Sequence, residues 1–213
     1  MDSVLDVIKD NRIVIVYRGI QPVECLEASR ALMEAGIRLF EVTMNSPDTT
    51  GAIELLKAEL EPEALLGAGT VTRTDQVDAV ADHGASYIVS SNINTDVIRR
   101  TKELGLISIP GAFSPTEIMT AWEAGADMVK VFPINVVGAE YITQLRGPID
   151  QVPFMVTGGI KLEMVEDLFR AGSDAIGISV QLLGKDLVEL RDWQGLRSRA
   201  AKFMEAAGVQ ALR

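Results

Sequence analysis

Two charged residues stand inside short apolar runs of this sequence, where charge is costly. Lys130 lies in MVKVFP and Glu41 lies in LFEVTM. Removing an ammonium or a carboxylate from water costs several kcal/mol unless a partner compensates. The pair therefore has two interpretations, a structural ion pair that fixes strand register or a reactive pair. In the second, burial and the positive charge of Arg18 lower the pKa of Lys130, so that a neutral amine attacks a ketone.

The elements that position these residues follow a regular alternation of apolar β-rich runs and helical stretches. Helical stretches repeat apolar residues every three or four positions and end at glycine. This α/β pattern predicts a single-domain (β/α)8 TIM barrel over 1–213, since the GxGxxG fingerprint of an open dinucleotide-binding sheet is missing. A short N-terminal helix over 2–10 and a final helix over 192–207 complete it. The predicted strands are 13–18, 39–44, 65–71, 87–91, 107–112, 128–133, 154–159 and 175–180.

Strand parity predicts which side chains face the barrel axis, because successive side chains point to opposite faces. In LFEVTMN the apolar Phe40, Val42 and Met44 pack under the helices. That leaves Glu41, Thr43 and Asn45 pointing inward, and the same rule sends Lys130 inward between Val129 and Val131. Arg18, Thr70 and Thr157 also lie near the ends of predicted strands. Charged residues at the carboxyl ends of barrel strands usually serve catalysis, which favours the reactive pair.

Composition excludes several classes of partner and site. The net charge of −10 argues against nucleic acid and anionic membrane surfaces, which need a basic face. No apolar run approaches the roughly 20 residues that span a bilayer, and the first residues are too acidic for a signal peptide. Cys25 is the only cysteine and His83 the only histidine, so no disulfide and no Cys or His metal cluster can form within the chain. We expect a cytoplasmic protein.

Several motifs, in order, carry a resemblance that covers nearly the whole chain. FEVTMNSP, LLGAGTV, IVSSN, PGAFSPTE, VKVFP and VTGG resemble the 2-keto-3-deoxy-6-phosphogluconate (KDPG) aldolase and 4-hydroxy-2-oxoglutarate (KHG) aldolase family. Asn45 in NSP and Asn92 look more like the 2-keto-3-deoxy-6-phosphogalactonate aldolases. The family implies a metal-independent class I lyase without a cofactor, acting on an oxo acid as a homotrimer.

The resemblance places the Schiff-base lysine on Lys130 and the proton-transfer glutamate on Glu41. The reaction it implies is cleavage of a 4-hydroxy-2-oxo acid to pyruvate and an aldehyde. Arg18 and Thr70 would hold the carboxylate and keto end of pyruvate. The expected substrate-binding residues are Arg18, Thr43, Asn45, Thr70, Phe132, Thr157, Gly158, Gly159 and Ser179.

The eighth predicted strand departs from the family pattern and puts phosphate binding in doubt. The family has a Gly-Gly-Ser or Gly-Ser step that cradles phosphate, whereas this chain reads IGISV. We expect Ile178, in place of glycine, to block the approach of a phosphate, with Ser179 or Val180 at the serine position. Gly158 and Gly159 are either half of a phosphate site or a tight strand-to-helix turn. An unphosphorylated substrate such as 4-hydroxy-2-oxoglutarate therefore remains open.

Two other function classes fit parts of the pattern. A phosphate-binding barrel isomerase or synthase would share the glycine turns and use Lys130 only as a charge. A non-catalytic barrel that binds a keto acid would keep Lys130 and Glu41 as a structural pair. Within the aldolase interpretation, the same iminium also stabilises the carbanion left by carbon dioxide loss, so we expect oxaloacetate decarboxylation as a side activity.

Overall fold

The protein is described by a computed structural model that covers residues 3–209. Parallel strands alternate with helices from one end of the described chain to the other, and this confirms the predicted α/β barrel. The strands are β1 Ile13–Tyr17, β2 Leu39–Thr43, β3 Leu65–Gly69, β4 Tyr87–Val89, β5 Ile107–Ile109, β6 Gly111–Ala112, β7 Val129–Val131, β8 Phe154–Thr157 and β9 Ala175–Ser179.

Helices follow the strands and form the outer layer. Their bounds are α1 Val4–Asn11, α2 Pro22–Glu34, α3 Thr49–Leu60, α4 Thr74–Asp82, α5 Thr95–Glu103, α6 Pro115–Glu123, α7 Ala139–Arg146, α8 Val165–Arg170, α9 Val180–Glu189 and α10 Trp193–Ala206. Short 3-10 turns occupy Ile134–Val136 and Leu162–Met164. In the described part of the chain, no helix combines the length and apolar character needed to cross a membrane.

Strand five of the prediction is divided in two. The strands are ordered β5-β4-β3-β2-β1-β9-β8-β7-β6, with β5 and β6 separated only by Pro110. Because proline has no N–H to donate, it interrupts the ladder. The carbonyl of Pro110 still accepts a hydrogen bond from the Lys130 amide at 2.9 Å, while that of Ile109 accepts one from Ser90 at 3.1 Å. The segment 107–112 thus bridges β4 and β7 and closes the barrel.

Two apolar clusters lie on opposite faces of the barrel wall, as strand parity predicts. Phe40, Val42, Val129 and Val131 belong to the larger cluster beneath the helices. The smaller cluster fills the barrel interior with Val14, Leu39, Tyr87, Val89, Ile109, Met128, Met155 and Ala175. The polar residues at the carboxyl ends of the strands therefore lie above this apolar cluster, on the side where the loops to the next helices begin.

The first helix seals the amino-terminal end of that interior. Ser3 and Asp6 form a capping box that starts α1, and its buried Ile8 packs into the interior cluster. The helix predicted over 2–10 is thus found over Val4–Asn11, with residue 2 outside the described residues. The last helix matches its prediction within one residue at each end. The single-domain prediction over 1–213 also reaches beyond the described residues at both ends.

Candidate active site

Lys130 is the centre of β7 and points into the barrel near its carboxyl end. Its residue is 7% exposed, and its Nζ lies 5.5 Å from the centroid of the Phe132 ring. Burial lowers the pKa of Lys130 from its usual range; the nearby Glu41 opposes this shift and Arg18 reinforces it. Part of the buried amine is therefore neutral at a lower pH than an exposed lysine would require. That form can act as a nucleophile.

Glu41 lies on β2 and is 1% exposed. Within the described part of the chain, neither carboxylate oxygen has a hydrogen-bond partner. Burial raises the pKa of Glu41, and the positive charges of Lys130 and Arg18 oppose the rise. An unsatisfied buried carboxyl is expensive for a structure and suits a group that exchanges a proton with a substrate.

Arg18 connects three loops at the barrel mouth. Its guanidinium donates to Oδ1 of Asn45 at 2.8 Å and to Oγ1 of Thr70 at 3.3 Å, and the side chain remains exposed. Thr70 has a φ of 58°, a left-handed conformation that is uncommon for a β-branched residue. Such strain clusters at ligand sites. The sequence did not indicate it, because nothing local distinguishes Thr70 from a residue ending a strand.

Thr43 differs from its expected role as a substrate donor. Its side chain is fully buried at the top of β2, where Oγ1 donates to the carbonyl of Tyr17 at 3.1 Å and lies 3.0 Å from Oγ of Ser46. Ser46 in turn accepts from the Gly19 amide at 2.9 Å. The Thr43 hydroxyl therefore links the ends of β1 and β2. Because it already donates to a backbone carbonyl, it is not free to donate to a substrate.

The end of β8 carries a polar group and a turn. Thr157 points inward, is 5% exposed, and its Oγ1 has no partner among the described residues. Gly158 and Gly159 follow with φ of 101° and 66°. A Cβ on Gly158 would lie 3.0 Å from Phe132, and one on Gly159 would lie 2.6 Å from the Asn135 side chain. The tight turn alone therefore requires both glycines.

Ile178 does not block the site, contrary to the expectation from the sequence. It pairs with Ile15 across β9 and β1, and both belong to the cluster beneath the helices. Parity instead places Ser179 on the inner face, half-buried at the N-cap of α9, where its Oγ accepts from the Gln181 amide at 3.3 Å. The expected steric obstacle is thus absent from the inner wall.

Sequence reasoning missed the glycines that make room for neighbouring side chains inside the barrel. Gly67 and Gly69 lie on the inner face of β3, and Gly177 lies on the inner face of β9. Added Cβ atoms would overlap Tyr87, Glu41 and Thr157, at 2.1, 1.7 and 2.7 Å respectively. The alternation in LLGAG and AIGIS could have shown that these glycines share a face with polar residues. The described residues contain no group of three or more His, Cys, Asp or Glu placed to hold a metal ion.

Comparisons with known proteins agree with this geometry. The family model for KDPG and KHG aldolase matches residues 4–198. The 2-dehydro-3-deoxy-6-phosphogalactonate aldolase of Escherichia coli (strain K12) is 36% identical over 197 residues, covering 91% of this chain and 93% of that protein. A native KDPGal structure superposes with a TM-score of 0.81 at 34% identity and covers 91% of this chain and 93% of its own.

A third relative has been solved with a covalent reaction intermediate. The KDPG aldolase from Legionella pneumophila, with pyruvate held as a covalent carbinolamine intermediate, has a TM-score of 0.84 and 25% identity, covering 92% of this chain and 96% of its own. A carbinolamine is the adduct that precedes a Schiff base. These findings favour the aldolase prediction over the isomerase and non-catalytic alternatives. The chain therefore belongs to the KDPG and KHG aldolase family, and its predicted class, a class I lyase that forms pyruvate and an aldehyde, is confirmed.

Proposed function

We propose that Lys130 is the Schiff-base nucleophile of this aldolase and that Glu41 is its proton-transfer group. One observation carries the assignment: both side chains point into the same buried end of the barrel, and burial shifts the pKa of each toward its uncharged form. A neutral amine is needed to attack a ketone, and a carboxyl with a raised pKa holds a proton more readily than an exposed one and can accept and return it.

The steps balance with these two groups, water and one solvent proton, which is taken up when the first iminium forms and released when the last one is hydrolysed. Lys130 Nζ adds to the C2 ketone, and loss of water gives an iminium. The electron pair of the C3–C4 bond moves into the iminium, giving an enamine, while the C4 hydroxyl proton passes to the Glu41 carboxylate and the aldehyde leaves. Glu41 then returns the proton to C3, and water hydrolyses the new iminium to release pyruvate and the free amine.

The remaining groups orient the substrate. Arg18 can pair with the pyruvate carboxylate. Its guanidinium is held in place by the hydrogen bonds that it donates to Asn45 and Thr70. The unpartnered hydroxyl of Thr157 is available to a polar group on the aldehyde half. The ring of Phe132 lies beside the Lys130 amine, with its centroid 5.5 Å from Nζ.

Borohydride trapping with pyruvate tests the nucleophile directly. We expect the intact wild-type protein to gain one reduced pyruvyl adduct, and Lys130→Met to gain none. Lys161→Met is the matched control, because Lys161 is an exposed lysine just after the β8 turn and should leave trapping unchanged. An adduct that persists in Lys130→Met, or is lost in Lys161→Met, contradicts the assignment.

For the substrate, we propose a 4-hydroxy-2-oxo acid with a 6-phosphate, of the 2-dehydro-3-deoxy-6-phosphogalactonate or phosphogluconate type. Support comes from Ser179 at the start of α9, from Ile178 facing the helices and not the barrel interior, and from the names of the relatives. Pyruvate release from both phosphorylated acids and from 4-hydroxy-2-oxoglutarate should be compared by kcat/KM. Equal or higher kcat/KM for 4-hydroxy-2-oxoglutarate would contradict the phosphate preference. Oxaloacetate decarboxylation, expected as a side activity, can be measured in the same assay.

We also propose a homotrimer in the cytoplasm. The large apolar side chains of Phe113, Phe132, Val136 and Val137 are exposed on the segments that follow β6 and β7, and exposed apolar surface commonly marks subunit contacts. The single buried thiol, Cys25, suits a reducing compartment. Analytical ultracentrifugation should give three times the chain mass for the wild type and a smaller species for Val136→Asp. A wild-type monomer contradicts the trimer.

A further inference from the structure

The peptide unit between Arg18 and Gly19 lies directly after β1, where pairing with β9 has ended. In the described chain, Val16 and Ser179 are the last residues that pair across these two strands. Gly19 has a φ of 67°, so the backbone leaves the strand direction at this point. The strand ladder therefore does not fix the backbone of Arg18, the residue proposed to bind the pyruvate carboxylate.

Two side chains hold this peptide unit from opposite sides. The carbonyl oxygen of Arg18 accepts a hydrogen bond from Nε2 of Gln181 at 2.7 Å. The amide of Gly19 donates one to Oγ of Ser46 at 2.9 Å. The carbonyl and the N–H of a trans peptide point in opposite directions, and β9 and β2 are the two neighbours of β1. Gln181, after β9, and Ser46, after β2, therefore extend the pairing of β1 by one peptide.

The side-chain amide of Gln181 has one orientation that satisfies both of its neighbours. The Arg18 carbonyl can only accept, so it faces the nitrogen end of the amide. The oxygen end accepts from Oγ of Ser179 at 3.0 Å, and the backbone amide of Gln181 donates to the same hydroxyl at 3.3 Å. Glutamine suits this position because its side chain offers a donor and an acceptor at the same distance from the backbone.

The guanidinium of Arg18 is held separately from its backbone. It donates to Asn45 and Thr70, on the side of the mouth formed by the loops after β2 and β3. An arginine that is held at only one end loses more side-chain freedom when a ligand orders it, and this entropy cost weakens binding. Gln181 supplies the restraint on the Arg18 backbone that comes from the β9 side.

We propose that Gln181 is a positioning residue of the aldolase site, whose side-chain amide holds the Arg18 backbone where the guanidinium can meet the pyruvate carboxylate. The inference rests on the carboxylate-binding role proposed for Arg18. It assigns Gln181 no contact with the substrate and no part in proton transfer. The affinity for pyruvate therefore depends on Gln181, whereas the chemistry at Lys130 and Glu41 does not.

The test compares Gln181→Met with Gln144→Met. Methionine is close to glutamine in length and removes both hydrogen-bonding ends of the amide. Gln144 is also exposed, and its Nε2 donates to Oε1 of Glu140 at 2.7 Å within α7, so the control removes a side-chain bond elsewhere. The readout is exchange of the pyruvate methyl protons with deuterium, measured by NMR against pyruvate concentration. It gives the half-saturating pyruvate concentration and the maximal exchange rate separately.

In Gln181→Met we expect the half-saturating pyruvate concentration to rise about fivefold, as for loss of one neutral hydrogen bond, and the maximal exchange rate to stay unchanged. Gln144→Met should keep both wild-type values. Both variants should have the wild-type Tm, because they change exposed side chains. An unchanged half-saturating concentration in Gln181→Met, or a fall in the maximal rate alone, overturns the inference.

Arg18→Met separates the inference from the role on which it rests. That variant should raise the half-saturating concentration by more than about tenfold, because it removes a charged bond to the carboxylate. If Arg18→Met leaves the concentration unchanged, the proposed role of Arg18 is wrong and the inference falls with it. The double variant should match Arg18→Met alone, because Gln181 acts through Arg18. A further rise in the double variant would show that Gln181 acts independently of Arg18, and this also overturns the inference.

Discussion

A Cβ atom on Gly69 would lie 1.7 Å from Oε1 of Glu41, so the carboxylate occupies the space that the side chain of any other residue at position 69 would fill. Gly69 and Glu41 stand on neighbouring parallel strands with their inner faces toward the same axis. The missing side chain therefore creates the position of the proton-transfer group. The interior of a small barrel is just wide enough for its side chains, so a side chain at position 69 would compete with the carboxylate for this space.

Gly69→Ala should move the Glu41 carboxylate without removing it. We expect deuterium exchange into pyruvate to fall about 100-fold, within the range that general acid-base groups contribute, while borohydride trapping at Lys130 persists. Gly147→Ala is the matched control, because its Cβ would meet only a carbonyl oxygen at 3.6 Å and its φ of −56° suits alanine. Wild-type exchange in Gly69→Ala would show that the carboxylate position does not matter.

The pH dependence of adduct formation should report the pKa of Lys130. Because burial and Arg18 lower that pKa, the rate of trapping at pyruvate concentrations well below saturation should reach half its maximum below pH 10.5, the value for an unperturbed lysine. Arg18→Gln removes a positive neighbour, so the midpoint should move to higher pH. Arg170→Gln, an exposed arginine in an ion pair with Glu166, should not move it. A wild-type midpoint at or above 10.5 contradicts the assigned shift.

Strand parity made most of the wall predictable. The period of two is strict in a strand, so Lys130 and Glu41 could be assigned to the inner face from their apolar neighbours alone. The predicted strands ran too far, as at 65–71 and 128–133, since Val71 and Phe132 are apolar residues just beyond the strand ends. Pro110 divides the fifth strand for a reason visible in the sequence, because proline has no N–H to donate to the ladder.

The parts that escaped prediction depend on contacts between strands. Parity in IGISV turns Ile178 outward, so its departure from the family residue type does not place its side chain in the barrel interior. The partner of Thr43 lies on another loop, and the left-handed φ of Thr70 is imposed by its surroundings.

Ser179 and Ile178 offer a test of the phosphate end, because they are neighbours on opposite faces of β9. Ser179→Ala should raise KM for a 6-phosphorylated substrate about tenfold and leave KM for 4-hydroxy-2-oxoglutarate unchanged, since it removes one hydrogen bond to a charged group. Ile178→Val should leave both KM values unchanged and lower the free energy of unfolding by about 1 kcal/mol. Equal KM changes for both substrates in Ser179→Ala would show that the serine does not select for phosphate.

The buried charged pair should cost the fold stability. Replacing both members, in Lys130→Met with Glu41→Leu, should abolish cleavage and raise the free energy of unfolding at pH 7 by about 1–4 kcal/mol, the range for replacing buried ion pairs by apolar residues. An exposed pair gives the control: Arg30→Met with Glu59→Leu should change it by less than about 1 kcal/mol. Chemical denaturation at one protein concentration measures both.

The pH dependence of that gain distinguishes a charge penalty from better packing. The pKa of Glu41 is raised in the folded state. The cost of its buried charge to the free energy of unfolding is therefore full above the folded pKa and disappears as pH falls below the unfolded value of 4.5. The pKa of Lys130 is lowered in the folded state. The cost of its buried charge to the free energy of unfolding is therefore full below the folded pKa and disappears as pH rises past the unfolded value of 10.5. The stability gain of the double variant should therefore be largest near neutral pH and shrink toward both ends. A gain that is constant with pH would assign it to packing alone, and a loss at pH 7 would mean that the pair stabilises the barrel.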